Sequence, residues 1–202
     1  LDLDDKYSGY QKVAANVIAM DGTNWFSSFT IDKGSKEGIK KGMNVIAGSG
    51  LVGIVTDVGP NFAKVRSIID DSSNVSSMVL TTKDNFNVGG SLQSMNQDKV
   101  LPFTELRDED DKVKVGDPVV TSYVSDQYQE GILIGYIASI EKNANNLTKS
   151  GTITPVVDFQ HLREVLVITT LKDTGEKELS SQKASDTQAE TQDNTETQKS
   201  QE

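Results

Sequence analysis

Three kinds of side chain in this sequence could do chemistry, and each can be tested against its spacing. His161 is the only histidine, so it is the only imidazole base. Ser122, in Thr121-Ser122-Tyr123, is a candidate nucleophile for it, and several aspartates could orient the ring. A hydrolytic triad also needs an oxyanion hole built by the residues around the nucleophile. Ser122 lacks the Gly-x-Ser-x-Gly or Gly-Asp-Ser-Gly surroundings that build one, so the spacing predicts a strand-end serine and a loop histidine rather than a catalytic pair.

Asp70-Asp71 and Asp108-Glu109-Asp110-Asp111 are the carboxylate-rich stretches. A calcium loop sets its oxygen ligands at fixed intervals around a glycine turn, and neither stretch has that order. They read as solvated charge. No phosphate-cradling glycine motif follows a strand and opens a helix. The sequence therefore implies no catalytic residue, no metal and no cofactor. The remaining candidates are aromatic. Trp25 and Phe26 follow a turn, and Tyr123 and Tyr128 sit on a polar loop, so both pairs are candidate protein-contact anchors.

The elements that would position these residues are β-strands. The core phrase is Gly50-Leu51-Val52-Gly53-Ile54-Val55, where a glycine inside a run of β-formers marks a bulge or a close backbone approach. It returns as Gly131-Ile132-Leu133-Ile134-Gly135-Tyr136. The segments before the two phrases also match: Ile39-Lys40-Lys41-Gly42 precedes the first and Val113-Lys114-Val115-Gly116 the second. One repeated unit predicts two similar β-modules. Gly34, Gly42, Gly50, Gly53, Gly116, Gly131 and Gly135 are read as structural glycines.

Short strands punctuated by turns run from Val13–Met20 to Glu164–Thr170, and no convincing amphipathic helix interrupts them. Trp25, Ser27, Phe29 and Ile31 alternate onto one face, as do Ala63, Val65, Ser67 and Ile69. The expected organisation is a first module over 13–70, completed by 152–170, and a second over 71–151. Residues 1–12 would be the remnant of an upstream helical segment. Residues 171–202 are polar and acidic, with too little apolar surface to offset ordering entropy, and are expected to be disordered.

The 202 residues carry 30 acidic and 20 basic side chains, a formal net charge of -10. That repels phosphate backbones, so nucleic acid is not an expected partner. No basic cluster stands out along the sequence, so anionic lipid is not expected either. Cysteine is absent, which excludes disulfide and thiolate chemistry. No stretch is long and apolar enough to span a membrane.

Asn24-Trp25, Asp32-Lys33-Gly34-Ser35, Gly42-Met43 and Gly50–Val55, in this order, are the first elements of a family pattern. It continues through Val115-Gly116-Asp117-Pro118-Val119-Val120-Thr121-Ser122, Gly131–Gly135 and Leu162–Ile168. Taken together they resemble the extracytoplasmic region of the rod shape-determining MreC family. The sequence departs from that pattern at Tyr123 and at Tyr128-Gln129-Glu130. The resemblance implies two small six-stranded β-barrels, distantly like those of chymotrypsin-type proteases. It implies a non-enzymatic scaffold of cell elongation at the outer face of the bacterial plasma membrane, anchored by a preceding helix and coiled coil. It implies contacts with a transpeptidase penicillin-binding protein, with MreD and with an MreB-linked complex, and self-association into dimers. A trypsin-like hydrolase and a surface adhesin module are the alternative readings.

Overall fold

The computed structural model describes residues 7, 9–20, 25–48, 50–144 and 147–172. The expected disorder of the C-terminal stretch, most of the expected helical remnant and the turn at Asp21–Asn24 lie outside the described residues, apart from Tyr7, 9–12 and 171–172.

The first barrel is built from β1 (Lys12–Met20), β2 (Ser28–Ile31), β3 (Asn44–Ala47), β4 (Gly50–Val58), β5 (Ala63–Ser67) and β12 (Glu164–Ile168). Around it the order is β1-β12-β3-β4-β5-β2. The second uses β6 (Asn74–Val79), β7 (Asn85–Gly89), β8 (Leu101–Leu106), β9 (Pro118–Thr121), β10 (Leu133–Lys142) and β11 (Lys149–Pro155), in the order β10-β11-β8-β7-β6-β9. Closure removes the unpaired edges that short strands would otherwise expose. Register shifts between Val55 and Asp57 in β4 and between Ile137 and Ser139 in β10 supply the local bends that small barrels require.

The alternation read from the sequence is the alternation of the core. Trp25, Ser27, Phe29 and Ile31 are buried, and so are Ala63, Val65, Ser67 and Ile69. Two expectations change. The segment 152–170 does not return to the first barrel as a whole. Lys149–Pro155 pairs with β8 and β10 in the second barrel, and only Glu164–Ile168 slots between β1 and β3. The link between them, 156–163, crosses from one barrel to the other and buries Val157, Phe159 and Leu162. Asn85–Leu92, whose Gly89-Gly90 pair reads as a hairpin or bulged strand, is instead a strand that ends at Gly89, and a short helix, α1 (Leu92–Gln97), follows. Ser91 caps that helix by accepting the Ser94 N–H at 3.1 Å, and Met95 anchors it in the core.

The internal duplication is visible in the hydrogen bonds. Gly42 and Gly116 each take positive φ, +88° and +93°, just before β3 and β9. Gly42 N donates to Val55 O at 2.9 Å, two residues after Gly53, and Gly116 N donates to Ile137 O at 2.8 Å, two residues after Gly135. Gly53 and Gly135 are also equivalent. A Cβ at Gly53 would fall 2.0 Å from Arg66 O, and one at Gly135 would fall 2.2 Å from Thr154 O. Each glycine thus lets a neighbouring strand pass closer than a side chain allows.

Candidate interaction surfaces

The structure does not bring the parts of a triad together. Ser122 is fully buried, and its hydroxyl is hydrogen-bonded to Asn85 Oδ1 while accepting the Val124 N–H. His161 stands on the exposed link before β12, where its Nδ1 meets Asp158 Oδ2 at 2.8 Å. That contact holds the Asp158 carboxyl below the usual range. The imidazole has an orienting carboxylate but, among the described residues, no serine in its hydrogen-bond set.

The acidic stretch at 108–111 has an internal purpose. Asp108 is buried; it accepts the backbone N–H of Lys112 at 2.8 Å and of Val113 at 3.1 Å, and meets Lys149 Nζ at 2.6 Å. Lys149 Nζ also reaches Asp111 Oδ1 at 2.5 Å, and Lys142 Nζ reaches Asp111 Oδ2 at 3.0 Å. Burial pushes the Asp108 carboxyl up, but the hydrogen bonds from Lys149 and the two amides outweigh it and hold the group below its ordinary value. Burial pulls the Lys149 amine down, and its two carboxylate partners more than restore it. Two lysines from β10 and β11 thus occupy the positive position inside this loop. Among the described residues no group of three or more His, Asp or Glu is placed to hold a metal ion.

Of the four aromatic candidates, two are corrected by the structure. Trp25 is only 6% exposed, and its indole N–H donates to Asn96 Oδ1 on α1, so it joins the first barrel to the second. Tyr128 is buried on the loop between β9 and β10, and burial pushes its phenol up to about 12. Both are anchors, but within the chain. Sequence alternation found that these aromatics make contacts and could not say with what. Phe26 is half-buried against Phe29. Tyr123 is exposed, as is Val124 beside it.

The seam between the barrels carries several polar clasps. Asn44 of β3, 2% exposed, donates from Nδ2 to Gln127 O at 2.9 Å and accepts the Gln129 N–H on Oδ1 at 2.7 Å. Gln129 Nε2 donates to Thr170 O at 3.0 Å. Tyr7 OH accepts the Leu133 N–H at 3.1 Å. Gly50 lets the barrels touch, since a Cβ there would lie 2.3 Å from Val156 Cγ2 and 3.1 Å from Leu133 O. The loop that departs from the family pattern, 123–130, is thus the one clasped by the first barrel.

Two outer surfaces stand out. On the second barrel, Leu80 N donates to Pro118 O at 2.9 Å, and Pro118 pairs across with Tyr136. Their neighbours Val79 and Val119 are fully buried, so Leu80, Pro118 and Tyr136 point outward as a cross-strand apolar row. Leu80 is 43% and Tyr136 45% exposed, and Val115 nearby is 62% exposed. On the first barrel the expectation of no basic cluster holds along the sequence and fails in space. The pairings Lys12↔Ile168, Ile168↔Asn44, Ile31↔Ala63 and Val58↔Ala63 place the start of β1, β3 and β5 and the end of β2, β4 and β12 on one staggered rim. Every described lysine of that barrel lies on this rim or in the turns that extend it.

Two closed six-stranded barrels in tandem, the second inserted into the first and clasped to it, define a double-barrel β protein. The chain belongs to the MreC family: the model of the rod shape-determining protein MreC barrel core matches residues 17–169. The cell shape-determining protein MreC of Listeria monocytogenes is 34% identical over 170 residues, covering 83% of this chain and 57% of the relative. That of Bacillus subtilis is 29% identical over 166 residues, covering 79% and 57%. The chain thus spans about half the length of the curated relatives it matches. A solved structure of Listeria monocytogenes MreC superposes with a TM-score of 0.71 at 32% identity, over 86% of each chain. A chain from the complex between penicillin-binding protein PBP2 and MreC of Helicobacter pylori shares the fold, with a TM-score of 0.58 at 11% identity over 79% of this chain and all of that one.

Proposed function

We propose that this chain is the extracytoplasmic binding region of a non-enzymatic scaffold for cell-wall elongation, and that its partner is the membrane-anchored transpeptidase of that machinery. The observation that carries the reading is the outward row Leu80–Pro118–Tyr136 on the second barrel. An outward face of a barrel is expected to be polar, and an apolar cross-strand row on it suits a protein partner. The Helicobacter pylori complex supports the partner class. MreD, the MreB-linked complex, self-association and the anchor would be served by segments that precede the barrels. The polar clasps at the seam support a scaffold role, because a surface presented by two barrels needs them held in fixed register. The test is interferometry between this chain and the transpeptidase ectodomain of the same organism. Saturable binding that weakens at least tenfold in Y136S supports the reading. Saturable binding unchanged by that variant moves the surface elsewhere, and no binding at ~100 μM removes a direct contact of even modest affinity.

A further inference from the structure

We infer that the lysine rim of the first barrel is a docking face for an anionic membrane surface. The inference rests on the extracytoplasmic, anchored reading above. Lys33, Lys36, Lys40, Lys41 and Lys64 all sit on this rim, and none of the five makes an ion pair among the described residues. In the second barrel Lys112, Lys142 and Lys149 are each paired with an aspartate, so half of its described lysines are neutralised in place. Ser35 N donates to Gly59 O at 3.0 Å and Lys36 N to Pro60 O at 3.2 Å, so the turn after β2 lies on the turn after β4. The second of these turns carries Phe62, exposed over Gly59. An aromatic ring among lysines is the composition that settles at a lipid headgroup layer.

The geometry selects a flat occupant. The lysines are spread around a rim, not along a groove, so a plane can meet them together and a linear polymer cannot. The chain also enters and leaves here. Glu37 and Gly38 border the same shallow depression as Gln11 and Lys12, and Leu171 packs beside Gly42. Residues arriving from an anchor therefore reach the fold on the side that carries the positive charge. Among the described residues, three carboxylates share the rim and offset part of it. Asp32 is held by Asn16, Glu37 by the Gly34 N–H, and Asp57 by the Val58 N–H. Glu130 of the second barrel lies beside Tyr10, which leaves the lysines at 33–41 and 64 as the contacting arc.

The experiment is flotation of the whole chain with vesicles of phosphatidylglycerol and phosphatidylcholine, against phosphatidylcholine alone. The inference expects binding only to the anionic vesicles, falling to background as salt is raised toward ~0.5 M. Each lysine near an anionic surface strengthens partitioning about fivefold, so losing three charges would weaken it by about a hundredfold, and K36E/K40E/K41E, which reverses them, should weaken it by more than that. F62S should weaken it further, and R163E, in the link before β12 at the opposite rim, should leave it unchanged. Equal binding to neutral vesicles, no binding to either, or indifference to the lysine reversals would overturn the inference. The triple variant is also assayed against the transpeptidase without lipid. Retained binding there assigns a lipid failure to this inference and not to the scaffold reading.

Discussion

Asn44 of the first barrel and Gln129 of the second are tied through the backbone: the Gln129 N–H donates to Asn44 Oδ1 at 2.7 Å, while Asn44 Nδ2 takes Gln127 O at 2.9 Å. One buried amide thus uses both of its ends on a loop eighty residues away in sequence. The two barrels are set in register by a side chain that engages the loop through both its amide nitrogen and its carbonyl oxygen.

N44L should therefore cost more than its volume suggests. It leaves the partly buried Gln129 N–H and Gln127 carbonyl without their side-chain partner, worth about 1 to 3 kcal/mol together. Urea denaturation should show the lower midpoint. A variant as stable as the parent would mean that the clasp does not matter.

G50A should destabilise through overpacking, by about 1 to 3 kcal/mol, because the new methyl meets Val156 Cγ2 at 2.3 Å. V156A should recover part of that loss in the double variant. A double-mutant cycle with no coupling would place the strain elsewhere.

The Asp108 clamp predicts an acid dependence. The folded-state carboxyl lies below its ordinary value, so its stabilisation is fully present above the ordinary aspartate range and is lost as pH falls through the folded pKa. The stability gap between the parent and D108N should be wide at neutral pH and should narrow below pH ~4. A gap that does not change between neutral pH and pH ~3 would show that the charge on Asp108 contributes nothing.

The Leu80–Pro118–Tyr136 row predicts a separation of stability from binding. L80D and Y136S remove exposed apolar side chains, so their unfolding free energies should stay within about 0.5 kcal/mol of the parent. Their affinity for the transpeptidase ectodomain should drop at least tenfold. Affinity that tracks stability would make the row structural.

Ser122 should resist serine-reactive phosphonates, since its hydroxyl is buried and committed to Asn85. S122A should instead lower stability by about 1 kcal/mol. Stoichiometric labelling of Ser122, read by mass spectrometry, would reopen the hydrolase reading.

Much of this fold was legible along the chain because its signals are local. Period-two alternation marked the buried face of β5, and the repeated Lys-x-Gly and Gly–apolar–Gly phrases marked β3–β4 and β9–β10. Strand ownership was not legible. Lys149–Pro155 and Glu164–Ile168 both lie in segments that read as strands, and which barrel each joins depends on pairing partners far away in sequence. The helix after Ser91 was missed because its six residues carry one buried apolar side chain, Met95, and no amphipathic repeat. The aromatics Trp25 and Tyr128 were read as contacts, but the contact is the seam within the chain. The lysine rim did not stand out because Asp32 and Glu37 are interleaved with Lys33, Lys36, Lys40 and Lys41, and Lys64 joins them only when the strand ends converge.

The position of β12 between β1 and β3 has a consequence for how the molecule is made. The second barrel is contiguous from β6 to β11 and can close as soon as Pro155 has emerged. The first barrel cannot. Its gap stays open until Glu164–Ile168 arrives, and until then two strand edges lie bare beside a finished neighbour. Vectorial synthesis thus imposes an order, with the inserted barrel first and the enclosing barrel last. A chain halted before residue 164 would carry a complete second barrel beside an unsealed first one, open to pairing with any strand nearby.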